Sequence, residues 1–520
     1  MGNFDHAEER RCRSFGLLHA VLDAQAGQTL ITGYCRGSET PPRLLLDGEP
    51  VATARTGLRI EALDLCNGSP VRVGEHVKWR LAYYGPISCN AALEIHPEPD
   101  SGLDVLPVRP DLILTLDDAD QLADPDISVQ SVSPATWYTP PAPASIHCFQ
   151  DMHPRAAAPK WYSAPRYVPA QAIVTLTDAV VSGYSAIYTN SGNLLREGFR
   201  GYPYEHEFIQ RLSKEARGHI TPLHGNRVAL HQQGDVQLLE DEALFLGIRY
   251  LGTTGRHEDL SNSAIPHREP FGHWIFEYAP RLWGMAELQN RELLLLLPQD
   301  APEYAVKQLA MLGFPQSQIA LYDPARPVRC KRLHVPTAPG CHSKFLSAQF
   351  ETFRDLFWQR ADKSDAFSSA CSALEQSSRT NRIYVARSDV PARRPFSSEA
   401  SLILELRQLG FRIIIPGELD EVEKIALFSR ADVVVGPMGS GLLNVAYARS
   451  APQVVALLPD LMADRALSDI ATYVPMTLHY IFGRSDAQTQ AEGWSAPWTI
   501  DVDQTVAAIK KILNKHDVTS

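Results

Sequence analysis

Short runs of alternating apolar and polar residues, broken at close intervals by Gly, Pro, Asp or Asn, fill the start of the chain, as in TLITGYC, RLLLDG, VRVGEHVKWRLAYYG and AALEIHP. Period-two alternation predicts strands with one buried face, and the crowding of turn residues predicts an antiparallel β-sandwich over residues 1–106. From 107 to 165 prolines and aspartates thicken, as in DPDISVQSVSPATWYTPPAPAS, and Pro restricts both its own backbone and that of the residue before it. That stretch reads as a linker lying along the surface of its neighbours.

Beyond it the pattern changes to alternating strands and helices. EALFLGIRY reads as a strand, residues 271–288 as a long helical stretch, LLLLLP as a buried strand, PEYAVKQLAML as a helix stopped by Gly313, and QIALYD as another strand. A helix over 345–360 follows. The sequence then gives the strand RIYVA, a helix over 398–409 closed by Gly410, and the strand FRIIIP. Asp420 and Glu423 are spaced as N-cap and N3 partners of the next helix. ADVVVG, the loop PMGSG, the helix LLNVAYA and the strand QVVALLP complete a second α/β unit. Its natural architecture is a parallel sheet with right-handed crossovers. The boundaries read as 166–342 for the first unit and 343–520 for the second. Open α/β sheets bind ligands beyond the carboxyl ends of their strands, so a shared cleft is the first place to look for function. The closing helix, 501–515, has no fixed packing partner in this reading.

A chain of 520 residues with 44% hydrophobic and 21% charged residues can build several cores. With 49 basic and 60 acidic residues the net charge is −11, the wrong sign for a protein whose main partner is nucleic acid. Apolar runs fall far below the roughly 20 residues that span a bilayer. The polar start MGNFDHAEERRCRS has no apolar segment behind its arginines, and the expectation is a cytoplasmic protein, with room for peripheral association at the inner face of a membrane. Its 8 cysteines are scattered with no C-x-x-C, which predicts free thiols rather than a metal site or a disulfide framework.

Three features could carry chemistry. Gly436-Pro437-Met438-Gly439-Ser440-Gly441 lies between an apolar strand and a helix. Its glycines permit a tight turn and close backbone approach, and the helix start offers amides to phosphate oxygens. The spacing is neither a dinucleotide fingerprint nor a Walker loop, so a nicotinamide-dependent oxidoreductase has no support. Arg387 follows the strand RIYVA directly, with Arg393 and Arg394 in the loop after it, and guanidinium grips two phosphate oxygens at once. Phe271-Gly272-His273-Trp274 places Glu277 one helical turn after His273, a spacing at which one residue could take a hydroxyl proton and the other orient it. Asp117, Asp118 and Asp120, with Asp124 and Asp126, sit in the linker rather than after a nucleotide-binding strand, and no metal site is expected there.

The segment from RIYVARSDVPARRPFSSE through the glycine loop to QVVALLP resembles the C-terminal half of glycosyltransferase family 61, which includes bacterial capsular-polysaccharide transferases and eukaryotic xylosyl- and N-acetylglucosaminyltransferases. FGHWIFEYAPRLWGMAEL is similar to that family's glycine-histidine segment ahead of Pro-Arg-Leu, and the likeness covers roughly residues 165–515. The resemblance implies a GT-B fold of two Rossmann-like domains facing a cleft, and inverting transfer from a nucleotide sugar to a glycan or lipid-linked glycan without an essential metal or other cofactor. Carried over by position, Arg387, Gly439, Ser440 and Gly441 bind donor phosphates, Glu418 and Asn444 hold the nucleotide, and His273 falls in the N-terminal cleft motif. Two departures stand out: Met438 replaces a histidine often seen in the glycine loop, and QVVALLP is not followed by the expected glutamate. Met438 leaves a second reading open, a non-catalytic carbohydrate-binding or assembly protein on a degenerate transferase fold.

Overall fold

The structure is a computed structural model. It describes strand backbone within residues 15–114, short strands at 194–195, 220–222 and 228–230, and the stretches 126–148, 162–189, 236–247 and 271–519, apart from gaps at 135, 184–185, 290–291, 325, 342–344, 378–380, 388–393, 463 and 487–494. Arg393, Asp117, Asp118, Asp120 and Asp124 lie outside the described residues. The chain divides into two compact units: 1–135 with 172–243 and 322–335, and 136–171 with 244–321 and 336–520.

In the first unit the alternating N-terminal segments form two antiparallel four-stranded sheets. One is ordered Phe15–Asp23, Gln28–Arg36, His76–Tyr84, Ala54–Arg59, and the other Leu106–Val108, Leu93–His96, Arg43–Leu46, Glu49–Pro50. Further along, Gln171–Ser182 turns back antiparallel onto Ala186–Tyr188. Val174, Leu176, Ala179 and Val181 of the longer strand are fully buried, alternating with the more open Thr175, Thr177 and Val180.

The second unit carries a parallel sheet. Its main strands are β1 (Ser145–Cys148), β2 (Arg382–Val385), β3 (Arg412–Ile414), β4 (Val433–Pro437), β5 (Gln453–Pro459) and β6 (Thr477–Ser485), in the spatial order β1-β6-β5-β4-β2-β3 with every pairing among them parallel, and Trp498–Thr499 adds antiparallel to β6. β1 comes from the segment read as linker. It is tied to β6 by Ser145 Oγ, 2.8 Å from His479 Nδ1. The helices are α1 (Glu303–Met311), α2 (Gln349–Ala361), α3 (Asp365–Ser377), α4 (Glu399–Gln408), α5 (Glu421–Ser429) and α6 (Val502–Thr519). Gly313 and Gly410 follow α1 and α4 with φ of +76° and +81°, the left-handed conformation that ends a helix.

Leu402 and Leu406 of α4 and Ile509, Ile512 and Leu513 of α6 pack with Tyr384, Val435, Val455, Leu457 and Ile481 into one buried cluster, so the closing helix lies on this sheet. Residues 345–346 are a short strand paired with Gly340–Cys341 rather than the start of a helix; α2 begins four residues later, at Gln349. The Leu346 amide donates to Tyr138 Oη at 2.9 Å, which holds those residues extended.

The order of the sheet fixes where a ligand would sit. From β2 the chain moves outward to β3, then returns to lay β4 on the other side of β2. At such a reversal the two crossovers diverge and leave a crevice beyond the carboxyl ends of the two strands. Arg387 follows β2 and the glycine loop follows β4, so both lie at the mouth of that crevice.

Candidate active site

The two strand ends approach closely because Gly436 has no side chain. A Cβ there would stand 2.9 Å from Val385 Cβ and 2.9 Å from the Val385 carbonyl oxygen. At Gly439 a Cβ would collide with Arg387 Nη1 and lie 3.5 Å from Arg394 Nη2, so both guanidinium groups converge on this bare stretch of backbone. The Arg387 amide donates to Glu399 Oε1 at 3.0 Å, and the same oxygen takes the Tyr384 hydroxyl at 3.0 Å, which fixes where the arginine leaves the strand. Arg394 is held in a left-handed conformation, φ +57°, while Nη1 donates to Met462 Sδ at 2.7 Å and its amide to the Ser495 carbonyl at 3.2 Å. Such a backbone persists only where the surroundings over-determine it.

The expected helix after the loop is a six-residue 3₁₀ turn, Leu442–Tyr447. The Leu442 and Leu443 amides both return to the Gly439 carbonyl, and Asn444 Nδ2 donates to the Gly441 carbonyl at 2.8 Å. Side-chain capture of a carbonyl competes with α-helical bonding. A turn this short has little macrodipole, which shifts the burden of holding an anion to the two arginines and the loop amides. The amides of Gly439, Ser440 and Gly441 have no acceptor among the described residues.

Asn444 is fully buried, and its Oδ1 takes no donor among the described residues. Glu418 is exposed in the turn after β3, on the strand beside Arg387. Met438 is 1% exposed, its side chain in the core and its amide bonded to the Leu457 carbonyl at 2.8 Å. Asp460 directly follows β5, where the resemblance expects a glutamate. Its Oδ1 takes the Leu461 and Ser485 amides and the Ser485 hydroxyl, which hold the carboxylate in place.

His273 and Glu277 meet as their spacing implies, Nδ1 to Oε1 at 3.0 Å. The stretch between them is a π-helical turn, Trp274–Tyr278, in which the Ala279 amide reaches back to the Trp274 carbonyl. Wide turns of this kind concentrate at functional sites. With Glu277 ionised and the imidazole neutral, the shared proton belongs to Nδ1 and Nε2 is the nitrogen that a general base would use. Glu277 is 4% exposed and His273 remains partly open.

Gln308 escaped the sequence reading. Its Oε1 accepts the Trp274 indole N–H at 2.8 Å; its Nε2 donates to Glu421 Oε1 at 2.5 Å and to Tyr447 Oη at 2.9 Å. The signal was present: positions 305, 308, 309 and 312 form an apolar helical stripe, and a glutamine within it implies a buried partner. Glu421 and Lys424, buried and 2.5 Å apart, have the i, i+3 spacing of any surface ion pair, a pattern that carries no such signal. The expected capping box is half formed. Asp420 accepts the Val422 amide at 2.9 Å, but Glu423 turns to Arg412 Nη2 at 2.9 Å.

Residues 271–455 match the family model Glycosyltransferase 61, which covers the His273 segment, Gln308, β2, the glycine loop and the start of β5. No curated protein matches the chain. That span is similar to glycosyltransferase 61, and the match takes in both groups of site residues.

Proposed function

We propose that this protein is an inverting glycosyltransferase that moves a sugar from a nucleoside-diphosphate donor to a hydroxyl of a glycan or lipid-linked glycan, in bacterial surface-polysaccharide synthesis. The observation that carries the reading is the convergence of Arg387 and Arg394 on Gly439 at the reversal point of the parallel sheet, inside the family match. A departing diphosphate needs its growing charge met in the transition state, and groups already aimed at it act most strongly there. Two guanidiniums and three loop amides can meet that charge without a metal. The resemblance supplies the remaining detail: paired Rossmann-like lobes, an N-terminal sandwich built on the two antiparallel sheets, and the roles of Ser440, Gly441, Glu418 and Asn444 around the donor.

In this mechanism His273 Nε2 takes the acceptor hydroxyl proton as the oxygen attacks the anomeric carbon, the glycosidic bond to diphosphate breaks on the opposite face, and Glu277 steadies the imidazolium through Nδ1–H. The competing non-catalytic reading leans on Met438, which is buried where the resemblance expects a histidine.

The test is a panel of nucleotide sugars read as thermal stabilisation and as released nucleoside diphosphate, with and without chelator. A donor that stabilises the protein and releases diphosphate equally in chelator supports the proposal. Loss of release in chelator removes the metal-independent mechanism, and silence against every donor favours the non-catalytic reading.

A further inference from the structure

Gln308 is joined on both sides to the candidate machinery. Trp274 is the residue after His273, and Tyr447 closes the turn that opens at the glycine loop. The orientation of the amide follows from its partners. An indole N–H only donates, so Oε1 faces Trp274; an ionised carboxylate only accepts, so Nε2 faces Glu421. The Tyr447 hydroxyl sits 2.9 Å from Nε2 and 3.2 Å from Oε1, so it can take a bond from one and return a bond to the other. Gln308 and Trp274 are 2% and 1% exposed, and Tyr447 3%, so water does not substitute for any of these bonds.

A second link runs in parallel. Lys424 Nζ, paired with Glu421, lies 4.0 Å from the centroid of the Phe271 ring, two residues before His273. Phe271 in turn stands edge-on to Tyr304 of α1, centroids 5.1 Å apart. The histidine turn, α1, α5 and the donor-side turn are thus held by one dry polar network with Gln308 at its centre.

We infer that Gln308 is a positioning residue that transmits occupancy of the glycine loop to the His273 turn, so that an anion bound by Arg387, Arg394 and the loop amides also steadies the candidate base. This rests on the proposed donor site. The physical ground is that the network is fully satisfied and desolvated: a shift of the 442–447 turn moves the Tyr447 hydroxyl and must break a buried bond or carry Gln308 and Trp274 with it. Breaking it leaves a buried polar group without a partner, so the concerted motion is favoured.

The test is hydrogen exchange on the full chain with inorganic pyrophosphate as the probe. In the wild type, pyrophosphate should slow exchange at 436–444 and, by about fivefold or more, at 271–278, a coupling at the low end of the usual range. Gln308→Leu should keep the first effect and lose the second. Trp274→Phe, which removes one N–H and retains an aromatic ring, should do the same and guards against a Gln308 variant that fails to fold. The pair Gln308→Glu with Glu421→Gln keeps a bond at each contact: the new carboxylate accepts from Trp274, from the Tyr447 hydroxyl and from the new amide, which turns its oxygen to Lys424. That pair should recover transmission, which a loss of packing alone would not.

Protection at 436–444 without protection at 271–278 in the wild type overturns the coupling while sparing the donor site. Equal protection of both segments in Gln308→Leu and Trp274→Phe overturns the role of Gln308. Absence of protection at 436–444 in the wild type overturns the donor site and the inference with it.

Discussion

Two glycines three residues apart should fail for different reasons. At Gly436 the added Cβ meets Val385 backbone and Cβ at 2.9 Å, and neither strand end can yield without loosening the β2–β4 ladder. Forcing a methyl into such a site costs about 1–3 kcal/mol, and each kcal/mol lowers the melting temperature by about 2–4 °C in a unit of this size. At Gly439 the colliding atom is the far end of Arg387, which can swing aside, while the φ of +159° adds a strain of about 1–3 kcal/mol for any side chain there. What is lost is one charge-assisted hydrogen bond to the anion, about 1.5–3 kcal/mol, or roughly ten- to hundredfold in Kd. Gly436→Ala should therefore melt several degrees low. Gly439→Ala should also melt low, from its strained backbone, and in addition bind pyrophosphate or a nucleoside diphosphate far more weakly by calorimetry. A Gly439→Ala protein that binds like the wild type refutes the idea that the guanidiniums and the bare loop act on one ligand.

Other outcomes follow from the same geometry. His273→Ala should lower turnover about 10²–10⁴-fold in protein that remains folded, measured as diphosphate release with a donor from the panel; near-normal turnover removes the histidine from the mechanism. Glu277→Gln keeps an acceptor for Nδ1–H but drops the charge, so its loss should be smaller than that of His273→Ala in the same assay. Arg387→Lys keeps charge but loses the fork, and calorimetry should find weaker diphosphate binding with unchanged stability. Asp469 is fully buried, takes Arg166 Nε at 3.1 Å and the Tyr138 hydroxyl at 2.9 Å, and burial outweighs those partners to push its carboxyl up to about 6. A raised acid stabilises the fold when protonated and loses that contribution as pH climbs from about 4 through 6, about 3 kcal/mol in all for a shift from 3.8 to about 6. Melting temperature in that window should fall more steeply with pH in the wild type than in Asp469→Asn; identical slopes contradict the assignment.

What sequence could reveal tracks how local the physics is. Strands β2, β4 and β5 and helices α1, α4 and α5 were legible because apolar period, caps and glycine stops act within a few residues, and His273–Glu277 was legible because i, i+4 geometry is fixed by a helical turn. Arg394 shared its loop with Arg393, which lies outside the described residues, and nothing in the spacing distinguished the residue that a left-handed backbone and Met462 aim at Gly439. The 3₁₀ form of 442–447 depends on where the Asn444 side chain turns, a choice local propensity does not make. β1 pairs with β6 more than 300 residues on, and the burial of Glu421 and Lys424 depends on Gln308 and Phe271, more than 100 residues away, beyond the reach of any window.

The central claim is that a diphosphate is held where β2 and β4 end. The most direct measurement is a crystal structure of the full chain soaked with a nucleoside diphosphate. The account predicts phosphate oxygens within about 3 Å of the Arg387 and Arg394 guanidiniums and the 439–441 amides. Density for the diphosphate elsewhere on the chain, with both guanidiniums turned from Gly439, would contradict it.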